Sequence, residues 1–233
     1  AADAPVHLRK LRREMTVDIR YILLEGSVSF SSFSGYTVSG AQMQELGLII
    51  YNNFVQGLTY SHRGELFDIE ADSVIMAIGH SARDTVEMLY NLGCEIIQKP
   101  FSVGARIEHP QKLINKAQYG NFAGNEKLGA ADYKLACHGL HERGAYTFCM
   151  CPGGTVVAAA SEKGGVIVNG MSSLARDGEN ANSALLVGIE PKDFPNEHPL
   201  AGIYYQREIE HNAFLLGGGD YKAPAQLVGD FLA

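Results

Sequence analysis

Three charged or titratable side chains stand within four positions in the stretch Phe101-Ser-Val-Gly-Ala-Arg-Ile-Glu-His-Pro110. The stretch alternates as a strand does, so Arg106 and Glu108 point to one face and His109 to the other. Arg106 beside Glu108 reads first as a structural pair. A guanidinium held in place is also the group that clamps an anionic substrate. His109 is kept extended by the ring of Pro110. Histidine titrates near neutrality and so is a candidate acid or base, although a hydrogen-bonded structural histidine is the commoner outcome. Arg106 and His109 are the two candidate catalytic residues.

Cys149-Met-Cys151-Pro-Gly-Gly154 is the other chemically unusual stretch, and three readings of it compete. A redox pair needs C-x-x-C at a helix start to lower a thiol pKa, and C-x-C before Pro and two glycines does not supply that. A metal site would recruit Cys137, His138 and His141, making five ligands with Cys149 and Cys151 within fifteen residues. No standard zinc spacing fits them, so no metal is expected; a metal-stabilised binding or structural module is the alternative. In the third reading the cysteines are small packed hydrophobes at a strand end. Pro152-Gly153-Gly154 then makes a turn whose backbone can approach a flat ligand. Neither cysteine is assigned catalysis.

These groups need elements to position them. Val74 to Ile78 is an uninterrupted apolar run, the pattern of a strand covered on both faces. Gly79 ends it and permits a sharp turn. Ser81 and Asp84 stand at capping-box spacing, predicting a helix from near Ala82, with Val86, Leu89 and Tyr90 as its buried stripe and Gly93 as its C′ stop. Such a junction is either an ordinary exit turn or a ligand site, because ligands sit at strand–turn–helix junctions of open α/β sheets.

Upstream, Leu8, Leu11, Met15, Ile19, Ile22 and Leu23 recur at three- and four-residue steps, predicting an amphipathic helix over 7–25 with Gly26 as its stop. Ser27 to Ser31 alternates as an exposed strand, and Ser31 to Gly40 reads as loop. Gly35 and Gly40 have Walker-A spacing, but Ala41 and Gln42 replace the required Lys and Ser/Thr, which excludes a P-loop. Leu46–Tyr51, Gly57–Ser61 and Glu65–Ala71 read as a meander with a tight turn at His62-Arg63-Gly64. Residues 111–134 read mostly as loop. Ala145–Cys149, Thr155–Ala160, Gly165–Val168 and Ala184–Ile189 are β-like pieces of an antiparallel, barrel-like domain. Tyr204–Leu216 and Ala225–Leu232 read as helices.

The chain has 233 residues, 46% apolar and 19% charged, with a net charge of −7. That composition predicts a folded core, and its acidic balance argues against a nucleic-acid surface, which would need a basic stripe. No apolar run approaches the roughly 20 residues that span a bilayer, and the first residues lack a signal-peptide h-region. Four cysteines make no disulfide framework, so a cytoplasmic location is expected. No G-x-G-x-x-G occurs; Gly217-Gly-Gly is followed by Asp-Tyr-Lys.

Ala77-Ile-Gly-His-Ser-Ala-Arg-Asp-Thr, Lys99-Pro-Phe-Ser-Val-Gly-Ala-Arg-Ile-Glu-His-Pro-Gln, Phe148-Cys-Met-Cys-Pro-Gly-Gly and Asn169-Gly-Met-Ser together resemble the uncharacterised bacterial FAD-dependent dehydrogenases, flavoproteins of the glutathione-reductase-like, two-dinucleotide-fold group. The likeness runs from about Ile19 to the end. It implies an α/β (α+β) fold: a partial, Rossmann-like FAD-binding domain over 1–98, an inserted, mainly antiparallel β substrate domain over 99–200 and a helical return over 201–233. It implies FAD contacts at Ala77, Ile78, Gly79, His80 and Ser81. Arg106 would clamp an anionic substrate or a ribityl oxygen, and Cys151, Pro152, Gly153, Gly154, Asn169 and Met171 would line a cleft. The family places its glycine-rich pyrophosphate turn upstream. This chain is therefore expected to be an internal segment of an oxidoreductase acting on a small molecule, inactive and not holding FAD tightly by itself. NAD(P)H enters only through the family's customary description.

Overall fold

The computed structural model describes residues 21–25, 36–39, 45–52, 54–71, 73–140 and 143–233. The chain divides into two compact units, 1–95 and 96–233.

In the first unit, β1 (Tyr21–Glu25) lies between β2 (Tyr36–Ser39) and β6 (Ser73–Ala77), parallel to both. This corrects the helix expected over 7–25 at its C-terminal end, and the loop expected over 31–40 at residues 36–39. A short apolar run such as Tyr-Ile-Leu-Leu satisfies a helical period and a central strand equally well; pairing on both edges decides for the strand. The remainder of that helix, Gly26 and the Ser27–Ser31 strand lie outside the described residues.

The expected meander is present as β3 (Glu45–Tyr51), β4 (Phe54–His62) and β5 (Glu65–Glu70), joined antiparallel in that order. Its second turn is Arg63-Gly64, with φ of +53° and +81°, the left-handed pair that a two-residue hairpin turn requires. Leu58, Ile69 and Ala71 form the core, and Leu48, Tyr60, Val74, Met76 and Ile78 pack on it. Val74 and Met76 therefore face inward while Ile75 is 47% exposed. Among the described residues the β6 run is covered on one face, not on both as its apolarity suggests.

After β6 the chain turns into α1 (Arg83–Asn91). The helix begins with Ala82 as its N-cap and no side-chain cap bond, so the capping box expected of Ser81 and Asp84 is not formed; the Asp84 carboxylate accepts the neighbouring Thr85 N–H at 2.8 Å. The C-terminus matches expectation. Gly93, at φ +82°, donates to Tyr90 O and Cys94 N donates to Leu89 O, the paired bonds of a Schellman stop.

The second unit is built on one antiparallel sheet in the order β7 (Phe101–Pro110), β12 (Asn180–Ile189), β9 (Arg143–Cys151), β8 (Ala136–Leu140). A separate hairpin pairs β10 (Gly154–Ala159) with β11 (Ile167–Ser172). The described residues thus form an open sheet plus a hairpin where a barrel-like arrangement is expected. Ile189, Phe194 and Ala201 form a second core with Phe101, Val103 and Tyr205, so α3 (Ala201–Leu216) packs on the Phe101–Ile189 end of this sheet. A last turn of helix, α4, spans Val228–Leu232.

Residues 111–119 form α2 (Gln111–Tyr119), correcting the loop expected there. Its anchors are polar. Gln111 Nε2 donates to Asn115 Oδ1 and to Ala131 O, and Asn115 Oδ1 also accepts Ala131 N–H, while Leu113 stays 59% exposed. An apolar period cannot reveal a helix held in this way. Among the described residues no helix is long and apolar enough to cross a membrane.

Candidate functional site

The end of β6 supplies the first candidate site. Ala77, Gly79, His80 and Ser81 are exposed, and Ile78 is partly buried against the first core. Gly79 takes φ +69°, a conformation that L side chains avoid, and a Cβ placed there would meet nothing among the described residues within 4 Å. The turn therefore exposes backbone next to open space. Ser81 Oγ lies 3.4 Å from His80 Nε2.

The second candidate site is the sheet of the second unit. The alternation read along β7 holds, because each face of the β7–β12 ladder carries its own polar cluster. On one face, Glu108 sits opposite Asn182 and Arg106 opposite Ala184. Arg106 Nη1 donates to Asn182 Oδ1 at 2.6 Å, and both Nη1 and Nη2 donate to Cys149 O at 3.2 Å. Glu108 instead accepts Asn180 Nδ2 at 2.8 Å. The structural ion pair expected between Arg106 and Glu108 is thus replaced by two separate amide partners on β12.

A β-bulge turns the Cys149 carbonyl toward the guanidinium. Opposite β12 the register passes from Asn182↔Cys151 to Ala184↔Phe148, so Cys149 and Met150 together face Ser183. Cys149 takes φ +49°, a left-handed conformation that costs a non-glycine residue on the order of 1–3 kcal/mol. The Cys151 thiol donates to the same carbonyl at 3.4 Å and lies 4.0 Å from Arg106 Nη1. Burial pushes this thiol up, against a smaller downward pull from Arg106. β11 covers the cluster through Gly170, where a Cβ would fall 2.3 Å from both Arg106 Nη1 and Asn182 Oδ1 and 2.6 Å from Cys151 Sγ.

On the opposite face His109 Nε2 is 2.8 Å from the Tyr133 hydroxyl. Burial raises the Tyr133 pKa above the ordinary phenol value, against a smaller downward pull from Ser183. Ser183 is fully buried and donates to the main-chain carbonyl of Phe148 or of Ala184. His109 Nδ1 is sealed from solvent without a partner.

Cys151, Pro152, Gly153 and Gly154 are all buried. Gly153 N–H donates to Gln111 Oε1 at 2.8 Å, and the backbone approaching this turn is the chain's own. A Cβ on Gly153 would lie 2.1 Å from Arg176 O, and one on Gly154 would lie 2.4 Å from Met171 O. Asn169 and Met171 are exposed on β11, on either side of the inward Gly170. Cys137, His138 and Cys149 are exposed. No group of three or more His, Cys, Asp or Glu among the described residues could hold a metal ion. Cys137, His138, Cys149 and Cys151 therefore do not assemble as the metal alternative requires; His141 lies outside the described residues.

Sequence reasoning misses Asn182, Gly170, Gln111 and Tyr133. Asn180-Ala-Asn182 does carry a strand period, but only the ladder shows that it faces Arg106. An open hollow of about 410 Å³ elsewhere on this unit holds Arg143 and Lys192, and both are already paired, to Asp193 and Glu190.

Residues 100–233 match the family described as "FAD-dependent protein, C-terminal domain-like". A protein of Clostridium beijerinckii (strain ATCC 51743 / NCIMB 8052), described as uncharacterised, is 51% identical over 194 residues. That alignment covers 80% of this chain and 36% of the relative, so the chain spans about a third of the length of the protein it resembles.

Proposed function

Because the chain belongs to the FAD-dependent protein, C-terminal domain-like family, we propose that it is part of a flavin-dependent oxidoreductase acting on a small molecule in the cytoplasm. The family match carries this reading. The Gly79 turn supports it: exposed backbone, a positive φ and open space where a Cβ would stand suit the close approach of a flat cofactor. Ala77, Ile78, Gly79, His80 and Ser81 would hold the flavin there. Bound flavin supplies hydride chemistry, and the protein supplies binding and orientation.

In the second unit we assign Arg106 to orienting an anionic group. His109 positions Tyr133, since one ring nitrogen is engaged and the other is closed off. Asn169 and Met171 are the exposed members of the proposed cleft. The family description names FAD and not NAD(P)H, which leaves the electron partner outside the proposal. The 233 residues contain no G-x-G-x-x-G, the turn that grips a dinucleotide pyrophosphate at a helix N-terminus.

A titration of FAD followed by flavin fluorescence tests the reading, run on this chain and on the longer Clostridium beijerinckii relative. The relative is expected to bind and quench FAD, and the short chain to leave it fluorescent at micromolar concentration. If the relative neither purifies with FAD nor quenches it, the proposal fails.

A further inference from the structure

The partners of Arg106 leave one edge of its guanidinium unused. A guanidinium has five N–H donors in a fixed plane. One Nη1 hydrogen goes to Asn182 Oδ1; the other, with the adjacent Nη2 hydrogen, goes to Cys149 O from the end of the group. The two that remain are Nε–H and the outer Nη2–H. These run parallel along one edge, the fork that receives two oxygens of a carboxylate or phosphate side by side. Neither has an acceptor among the described residues, and Nε is not among the buried polar atoms closed off without a partner.

The cation also lacks a counter-charge. Glu108, two residues along the same face, is bonded to Asn180, and no ion pair among the described residues includes Arg106. Charges taken partly out of water are ordinarily paired. The side chain is also fixed. Asn182, fully buried, holds one end, the Cys149 bulge holds the other, and the absent side chain of Gly170 admits the guanidinium beneath β11. A fork locked in this way loses little freedom on binding.

We infer that Arg106 is an oxyanion-binding residue that takes a carboxylate or phosphate group bidentately on its Nε–Nη2 edge. Its use as the anchor of a flavin substrate rests on the function proposed above; the binding itself does not. With a net charge of −7 the chain as a whole does not attract anions, so saturable binding must come from a local site.

The test is a titration of the ¹⁵N-labelled chain, without FAD, with acetate, inorganic phosphate or chloride at constant ionic strength, following the Arg106 Nε–H resonance in the wild type and the backbone amides of Gly170 and Asn182, which pack on the guanidinium, in wild type and variants alike. A saturable shift with acetate or phosphate, absent with chloride, is expected, and the tighter of the two identifies the oxyanion. Arg106→Lys keeps the charge without the fork and is expected to weaken binding at least tenfold. Arg143→Lys, at a guanidinium already committed to Asp193, is expected to change it less than twofold. A linear drift shared by all three ions, or equal binding by Arg106→Lys in a folded protein, overturns the inference. Should that variant not fold, the wild-type resonance decides alone. Failure here would leave the FAD titration untouched.

Discussion

Gly170 is the residue on which the Arg106 cluster depends most directly. Its missing side chain leaves the space that the guanidinium, the Asn182 amide and the Cys151 thiol share. Gly170→Ala is expected to destabilise the protein by about 1–3 kcal/mol, the usual effect of overpacking, read as a lower urea midpoint at unchanged m. Tyr133 and Cys151 carry a pH dependence of known sign. Burial raises both pKa values, so the folded state retains protons that the unfolded chain releases at about pH 8.5 for a thiol and about pH 10 for a phenol. Their contribution is complete below those values and is lost as pH rises toward the folded ones. Urea midpoints measured from pH 7 to 11 should fall more steeply in the wild type than in Tyr133→Phe/Cys151→Ala. Parallel curves would assign the alkaline loss to other groups.

At the scale of elements, hairpins show where local chemistry is sufficient. The β4–β5 turn is legible in advance because Arg63-Gly64 leaves two positions for positive φ between alternating strands. Gly64→Ala should cost about 1–2 kcal/mol by placing a Cβ in the left-handed region, measured by thermal or urea unfolding. Arg63→Asn, which tolerates that region better, should be neutral or stabilising. The meander, β6, β7 and most of α3 are likewise legible from period and turn residues. β1 is not, since its strand character comes from neighbours on both sides; α2 is not, since Gln111 and Asn115 hold it by amide bonds. The same division runs through the candidate site. The opposite facing of Arg106 and His109 follows from a period of two, whereas Asn182, 76 positions away along the chain, meets Arg106 only once the ladder exists.

For the molecule as a whole, each unit has its own buried cluster: Leu58, Ile69 and Ala71 in the first, Ile189, Phe194 and Ala201 in the second. Residues 96–233 produced alone are therefore expected to fold, giving a dispersed amide NMR spectrum and cooperative unfolding; a collapsed spectrum would mean that the second core needs the first unit. The pairing of β7 with β12 has a further consequence, for synthesis. These strands join residues 70 to 88 positions apart, and β12 also supplies the edge on which β9 pairs. As the chain leaves the ribosome, β7 emerges early and stays without its neighbour until nearly all of the unit has been made. Contacts so distant in sequence form slowly, and an apolar edge left open meanwhile can recruit another nascent chain. The strand order thus makes closure of this sheet, rather than formation of any hairpin, the slow step expected when the unit refolds.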